Sequence, residues 1–140
     1  MISEEIPQDL DGKQFYQLED YRRSGKTTRA LTWILNKCLE KSNGRGAYVA
    51  VNNALIKEAI NILKQLLDKE KIEYQYIPLK LTMKLRNGSE LEFISRPEAL
   101  IGKMYDCIVV DEYKKLGNYS TEFLPLLKCN SDCTILVKSI

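Results

Sequence analysis

The stretch Tyr21-Arg22-Arg23-Ser24-Gly25-Lys26-Thr27-Thr28 decides how the rest of the chain is read. Gly25-Lys26-Thr27 matches the end of a phosphate-binding loop of the form G-x-x-x-x-G-K-[ST]. In such a loop, backbone N–H groups wrap a triphosphate and the lysine reaches its terminal phosphates. The threonine hydroxyl holds Mg²⁺. A helix that begins there presents its positive end to the same anion. The pattern asks for glycine five residues before Gly25, and that position is Asp20. The motif is incomplete by itself, so its context has to carry it.

On the amino side, residues 13–18 (Lys-Gln-Phe-Tyr-Gln-Leu) have the aromatic content of a strand running into the loop. Residues 1–12 read as a loosely held arm. On the carboxyl side, Ala30, Leu31, Ile34, Leu35, Cys38 and Leu39 recur at helical spacing and predict a helix over 26–41. Asn43-Gly44-Arg45-Gly46 stops it. Residues 47–51 (Ala-Tyr-Val-Ala-Val) form a short apolar run, the mark of a buried parallel strand. Asn52 or Asn53 then caps a helix over 54–70, with Leu55, Ile56, Ala59, Ile60, Leu63, Leu66 and Leu67 on its apolar side. Strand, loop, helix, strand, helix implies a parallel sheet with crossover helices.

The next segment changes character. Residues 72–77 read as a strand. Residues 79–85 alternate, with Leu79, Leu81, Met83 and Leu85 on one side and Lys80, Thr82 and Lys84 on the other. Asn87-Gly88 turns the chain and residues 90–95 return. A two-residue loop would set Leu85 opposite Glu90 and Lys84 opposite Leu91. A three-residue loop, Arg86-Asn87-Gly88, sets Met83 opposite Leu91, Leu81 opposite Phe93 and Lys84 opposite Glu90. Directly opposed residues share a face, so the second register is expected, with Gly88 left-handed. A short helix starts near Pro97 and stops near Gly102. Ile108-Val109-Val110 then leads to Asp111-Glu112. Ser120 caps a helix over 120–127, and residues 133–138 form a last buried strand. The expected fold is an α/β, three-layer P-loop NTPase of the RecA/ASCE-like class, mainly parallel, with an antiparallel hairpin added. It occupies a single domain over 1–140.

A parallel strand ending in a carboxylate delivers it to the edge where the phosphate loop also sits. Asp111 is thus placed to hold the Mg²⁺ shell with Thr27, and Glu112 to polarise the attacking water. The plainer reading of Asp111-Glu112 is the end of a strand and the start of a loop. Arg23, Ser24, Gly25, Lys26, Thr27 and Thr28 are the residues expected around the phosphates. Arg22 is the favoured candidate for a cis arginine that neutralises charge at the γ-phosphate, against a plain surface role. Gln14 and Gln17 stand at a distance from which a glutamine reads an adenine edge, or are plain strand glutamines. Lys103, Lys114 and Lys115 touch DNA or a neighbouring subunit, or are simply solvated.

Composition sets outer bounds. The 140 residues allow one domain with one core. A net charge of +2 does not by itself argue for nucleic acid, though Lys80, Lys84 and Arg86 offer a local basic patch. No apolar run nears the roughly 18–20 residues that span a bilayer. The amino terminus is polar and acidic, so a cytoplasmic location is expected, in the host if the protein is viral. Cys38 and Cys107 read as small buried hydrophobes. Cys129 and Cys133 lack zinc-site spacing, and the chain has no histidine to complete a metal site or serve in acid–base catalysis.

Taken in order, these residues resemble the ATPase domain of the large terminase subunit, the DNA-packaging motor of tailed bacteriophages. The resemblance rests on Arg22-Arg23-Ser24-Gly25-Lys26-Thr27-Thr28, then Asn87-Gly88-Ser89 with Leu91 and Phe93, then Ser95, Gly102 and Val109-Val110-Asp111-Glu112. That family's loop is often arginine-x-x-glycine-lysine-threonine without the first glycine, so Asp20 fits it. The resemblance implies ATP and Mg²⁺ as cofactors, with Lys26, Thr27, Asp111 and Glu112 in the roles above and Arg22 as the cis arginine. It implies double-stranded DNA as a partner, a homo-oligomeric ring or partner packaging subunits, and no membrane. The family's threonine-rich coupling motif has no clear match in Val137-Lys138-Ser139-Ile140. The alternatives are a non-hydrolysing nucleotide-binding module and, behind it, a small nucleotide kinase.

Overall fold

The structure is a computed structural model that describes residues 14–20, 26–50, 52–112 and 133–139. The arm expected over 1–12, the loop residues Arg22, Arg23, Ser24 and Gly25, the lysines Lys114 and Lys115, and the helix expected over 120–127 lie outside them. The elements are β1 (Gln14–Asp20), α1 (Lys26–Glu40), β2 (Arg45–Val49), α2 (Asn53–Lys69), β3 (Tyr74–Ile77), β4 (Thr82–Leu85), β5 (Glu90–Ile94), β6 (Cys107–Val110) and β7 (Cys133–Ser139). They build a seven-stranded sheet in the order β1-β7-β6-β2-β5-β4-β3. The ladders β1–β7, β7–β6, β6–β2 and β2–β5 are parallel, while β5–β4 and β4–β3 are antiparallel. The expected α/β class, a mainly parallel sheet with an antiparallel addition, is what the chain forms. The loop-bearing strand β1 and the carboxylate strand β6 are separated by one strand, β7.

The helices form where the apolar stripe predicts them. Ala30, Leu31, Ile34, Leu35 and Cys38 of α1 are buried, as are Ile56, Ala59, Ile60, Leu63 and Leu67 of α2. Both stripes join one core with Tyr48, Leu91, Phe93, Cys107 and Val109, so both helices cover the same face of the sheet. Ala47, Val49, Ile94, Ile108 and Val110 point the other way and are buried too, which is why these strands read as continuous apolar runs. Gly46 lets α1 approach closely: a Cβ there would lie 2.8 Å from Cys38 Sγ and 3.2 Å from Leu91 Cδ1. Cys38 and Cys107 are buried free thiols. Asn52 is the cap of α2, its side chain accepting from the Leu55 N–H at 2.9 Å. At the other end Lys71 takes a left-handed φ of 56°, Ile72 N–H donates to Leu67 O and Lys71 N–H to Asp68 O. This is a Schellman closure with lysine where glycine is usual.

The hairpin has the three-residue loop. Met83 pairs with Leu91 and Lys84 with Glu90, and Gly88 has φ 86°. The alternation expected from residue 79 does not hold over its first half. Pro78–Lys80 form a 3-10 turn, Leu81 is left-handed at φ 45°, and Leu79 is fully exposed. Proline fixes φ and removes a ladder donor, so the strand restarts only at Thr82.

Candidate functional site

Five parallel strands bring their carboxyl ends to one edge, and the candidate site is assembled there. Lys26 opens α1, with Thr27 in its first turn. Asp111 follows the last residue of β6 and is 1% exposed. Thr27 Oγ1 donates to Asp111 Oδ2 at 3.2 Å, across 84 positions of sequence. The backbone fixes the acid as well, since Asp111 N–H donates to Val49 O at 2.8 Å. Tyr48, fully buried in β2, donates its hydroxyl to the same Oδ2 at 2.5 Å. Burial, then the negative charge of Asp111, pushes the Tyr48 phenol well above its ordinary range, so it remains a proton donor.

Glu112 follows directly. Its φ of 48° is left-handed, an expensive conformation for a non-glycine residue, and such strain concentrates at functional positions. Thr28 is exposed on the first turn of α1, and its carbonyl accepts from Thr32 Oγ1 at 2.8 Å. Thr27 and Asp111, expected to share a metal ion, are therefore neighbours.

The donor set fits Mg²⁺. It offers one carboxylate and one hydroxyl, both hard oxygen ligands, and Mg²⁺ takes few protein ligands and keeps phosphate oxygens and water for the rest. Among the described residues, no group of three His, Cys, Asp or Glu side chains is placed to hold a metal. The Thr27 hydroxyl spends its proton on Asp111, which leaves its oxygen lone pairs available to a cation.

Lys103 sits elsewhere. It precedes β6, at the amino edge of the sheet, and its Nζ lies 3.3 Å from Glu92 Oε1. Closeness in sequence to Asp111 does not carry it to the candidate site, because β6 spans the sheet between them. Arg45 Nη2 also binds Glu92, at 2.6 Å, and Tyr105 donates its hydroxyl to Glu92 at 3.2 Å. Nearby, Asp106 accepts from Lys41 Nζ at 2.5 Å and from Arg45 N–H at 2.8 Å. Lys80 and Lys84 are exposed, and Lys84 faces Glu90 across the ladder, so this basic stretch is partly compensated.

Sequence reasoning missed Tyr48. A tyrosine inside an otherwise apolar buried run was the available signal, since a buried phenol needs a partner. Sequence reasoning read Asn87-Gly88-Ser89 as a turn but did not foresee that Asn87 and Ser89 cap the carboxyl end of α1. Asn87 Nδ2 donates to Cys38 O at 2.9 Å and Leu39 O at 3.2 Å, and the single hydroxyl proton of Ser89 serves Cys38 O or Lys41 O, each 2.7 Å from its Oγ.

No protein-family model and no curated protein sequence matches the chain. Solved structures do. The large terminase ATPase domain of Thermus phage P74-26 superposes with TM-score 0.65 at 16% identity, over 91% of this chain and 60% of that one. The fold is that of a phage large terminase ATPase domain. A second large terminase, from a thermophilic bacteriophage, gives TM-score 0.73 at 12% identity, over 91% of this chain and 34% of that one. This second terminase is also solved with ADP and with ATP-gamma-S. The bacteriophage Phi-29 genome packaging motor assembly gives TM-score 0.60 at 14% identity, over 92% of this chain and 44% of that one. The chain thus spans less than two thirds of each of these chains.

Proposed function

We propose that this chain binds ATP with Mg²⁺ at the carboxyl edge of its sheet and hydrolyses it. It would do so as the ATPase of a packaging-type motor acting on double-stranded DNA, in a ring of copies or with partner subunits. The reading treats the chain as a single P-loop domain. One observation carries it: Thr27 and Asp111, far apart in sequence, meet at 3.2 Å in a fold shared with terminase ATPase domains. The ADP and ATP-gamma-S complexes of the second terminase support a nucleotide as the ligand.

The roles follow from chemistry. Backbone N–H groups from Arg23 to Thr28, with the amino end of α1, bind the phosphates. Lys26 neutralises the terminal phosphates. Thr27 and Asp111 hold Mg²⁺, which when bound neutralises charge on the phosphate oxygens. Glu112 orients and polarises the attacking water. Arg22, five positions before Thr27, supplies positive charge at the γ-phosphate in cis.

The test is phosphate release from ATP by the purified chain, with and without duplex DNA. The expected result is Mg²⁺-dependent release, raised by DNA and lowered at least about 100-fold by Lys26→Ala, the scale of losing one key phosphate-stabilising group. Release that survives Lys26→Ala would overturn the site. Tight ATP binding without release, even with DNA, would replace hydrolysis with a non-hydrolysing binding module.

A further inference from the structure

We propose that Tyr48 is a positioning residue of this site: its hydroxyl fixes the carboxylate of Asp111, and through it the Thr27 oxygen turned toward the metal ion. The inference rests on the Mg²⁺–ATP reading above. Three observations carry it. The first is geometric. Tyr48 hydroxyl and Thr27 Oγ1 both donate to one oxygen, Asp111 Oδ2, at 2.5 and 3.2 Å. An oxygen that accepts two O–H donors from fixed directions sets the plane of its carboxyl group. The second is rigidity. Tyr48 is fully buried, its ring lies 6.2 Å from that of Phe93 at a 56° tilt, and its strand pairs in register with β6, whose last residue precedes Asp111. Tyr48 opposes Val109, and the Asp111 N–H is held by Val49 O, so phenol and carboxylate are anchored by adjacent strands. The third is chemical. The β2 interior is otherwise apolar, and phenylalanine would fill the same volume without burying a hydroxyl. A buried hydroxyl costs free energy unless it is bonded, and this one is bonded to the acid that the site requires.

Partners of metal-ligating groups typically change metal affinity about 10- to 100-fold when removed, because the ligand loses its orientation. The experiment compares the full chain with Tyr48→Phe. Thermal stabilisation by ADP and by ATP-gamma-S is measured in EDTA and across a Mg²⁺ titration. The expected result is nucleotide stabilisation in EDTA within about 2-fold of the parent concentration dependence, and a Mg²⁺ half-saturation raised about 10-fold or more. The Mg²⁺ dependence of phosphate release shifts in parallel. A changed melting temperature with an unchanged Mg²⁺ half-saturation would mean a purely structural hydroxyl and overturn the proposal. A parent chain with no Mg²⁺-dependent nucleotide effect would instead overturn the underlying site reading, and the proposal with it. If Tyr48→Phe does not fold, Phe93→Leu takes its place. It leaves the hydroxyl and loosens the ring, and the Mg²⁺ half-saturation rises several-fold; no rise overturns the proposal.

Discussion

Asp111 and Glu92 are both carboxylates withdrawn from water. Asp111 is met by hydroxyls from Tyr48 and Thr27, which orient it and carry no charge of their own. Glu92 is met by two cations, Arg45 and Lys103. Paired cations around one carboxylate suit a structural tie. Burial acts to raise the Glu92 pKa, but the hydrogen bond from Arg45 and the charge of Lys103 outweigh it and hold the carboxyl below its usual range. Asp106 is lowered in the same way: burial opposes, and Lys41 and the Arg45 N–H prevail. A depressed folded-state pKa means stability that is complete above the unfolded value, about 4.3 for Glu and 3.9 for Asp, and lost as pH falls through the folded value. Stability should thus decline as pH drops below about 4. Glu92→Gln should cost about 1–2 kcal/mol at neutral pH and flatten that acid decline. Urea midpoints between pH 7 and pH 3 check it, and an equally steep decline in Glu92→Gln would contradict the assignment.

At the scale of elements, the Asn87-Gly88-Ser89 turn does more than reverse the chain. It closes the last carbonyls of α1, the helix whose other end opens at Lys26. Gly88 is required there by its φ of 86°, and a Cβ would also lie 2.2 Å from Asn43 Oδ1, a side-chain end that would have to turn away. Asn87→Ala removes donors to Cys38 O, Leu39 O and Lys41 O and the acceptor for Ser89 N–H. It should cost about 1–2 kcal/mol, the range for losing a set of part-buried hydrogen bonds, and lower the Tm by about 3–10 °C. Differential scanning calorimetry reads this directly, and a Tm within a degree of the parent would show that the turn does not secure the helix. Much at this scale was legible in the sequence. The apolar stripes marked both helices, and face parity fixed the hairpin loop at three residues. Leu79 and Leu81 misled because their alternation is a local pattern, and Pro78 ended the ladder before pairing could use it.

At the scale of the molecule, the sheet separates two polar clusters. One cluster reaches from the amino edge to mid-strand Glu92 and joins it and Asp106 with Arg45, Lys41, Lys103 and Tyr105; the carboxyl edge holds Thr27, Tyr48, Asp111 and Glu112. The sequence placed Asp111 at the carboxyl edge, because a strand ending in an acid has no other place for it. It did not reveal that Tyr48 meets that acid, since strand order and register are set by long-range pairing that no local period reports. Arg22 to Gly25 lie outside the described residues, so their part in the site rests on the motif. The central claim is that Glu112 acts on water at a nucleotide held by the Thr27–Asp111 pair, and Glu112→Gln tests it most directly. ATP binding and phosphate release are measured on the same sample. The expected result is binding within a few-fold of the parent and release slowed about 100-fold or more, the usual scale for losing a general base. Release at the parental rate would contradict it.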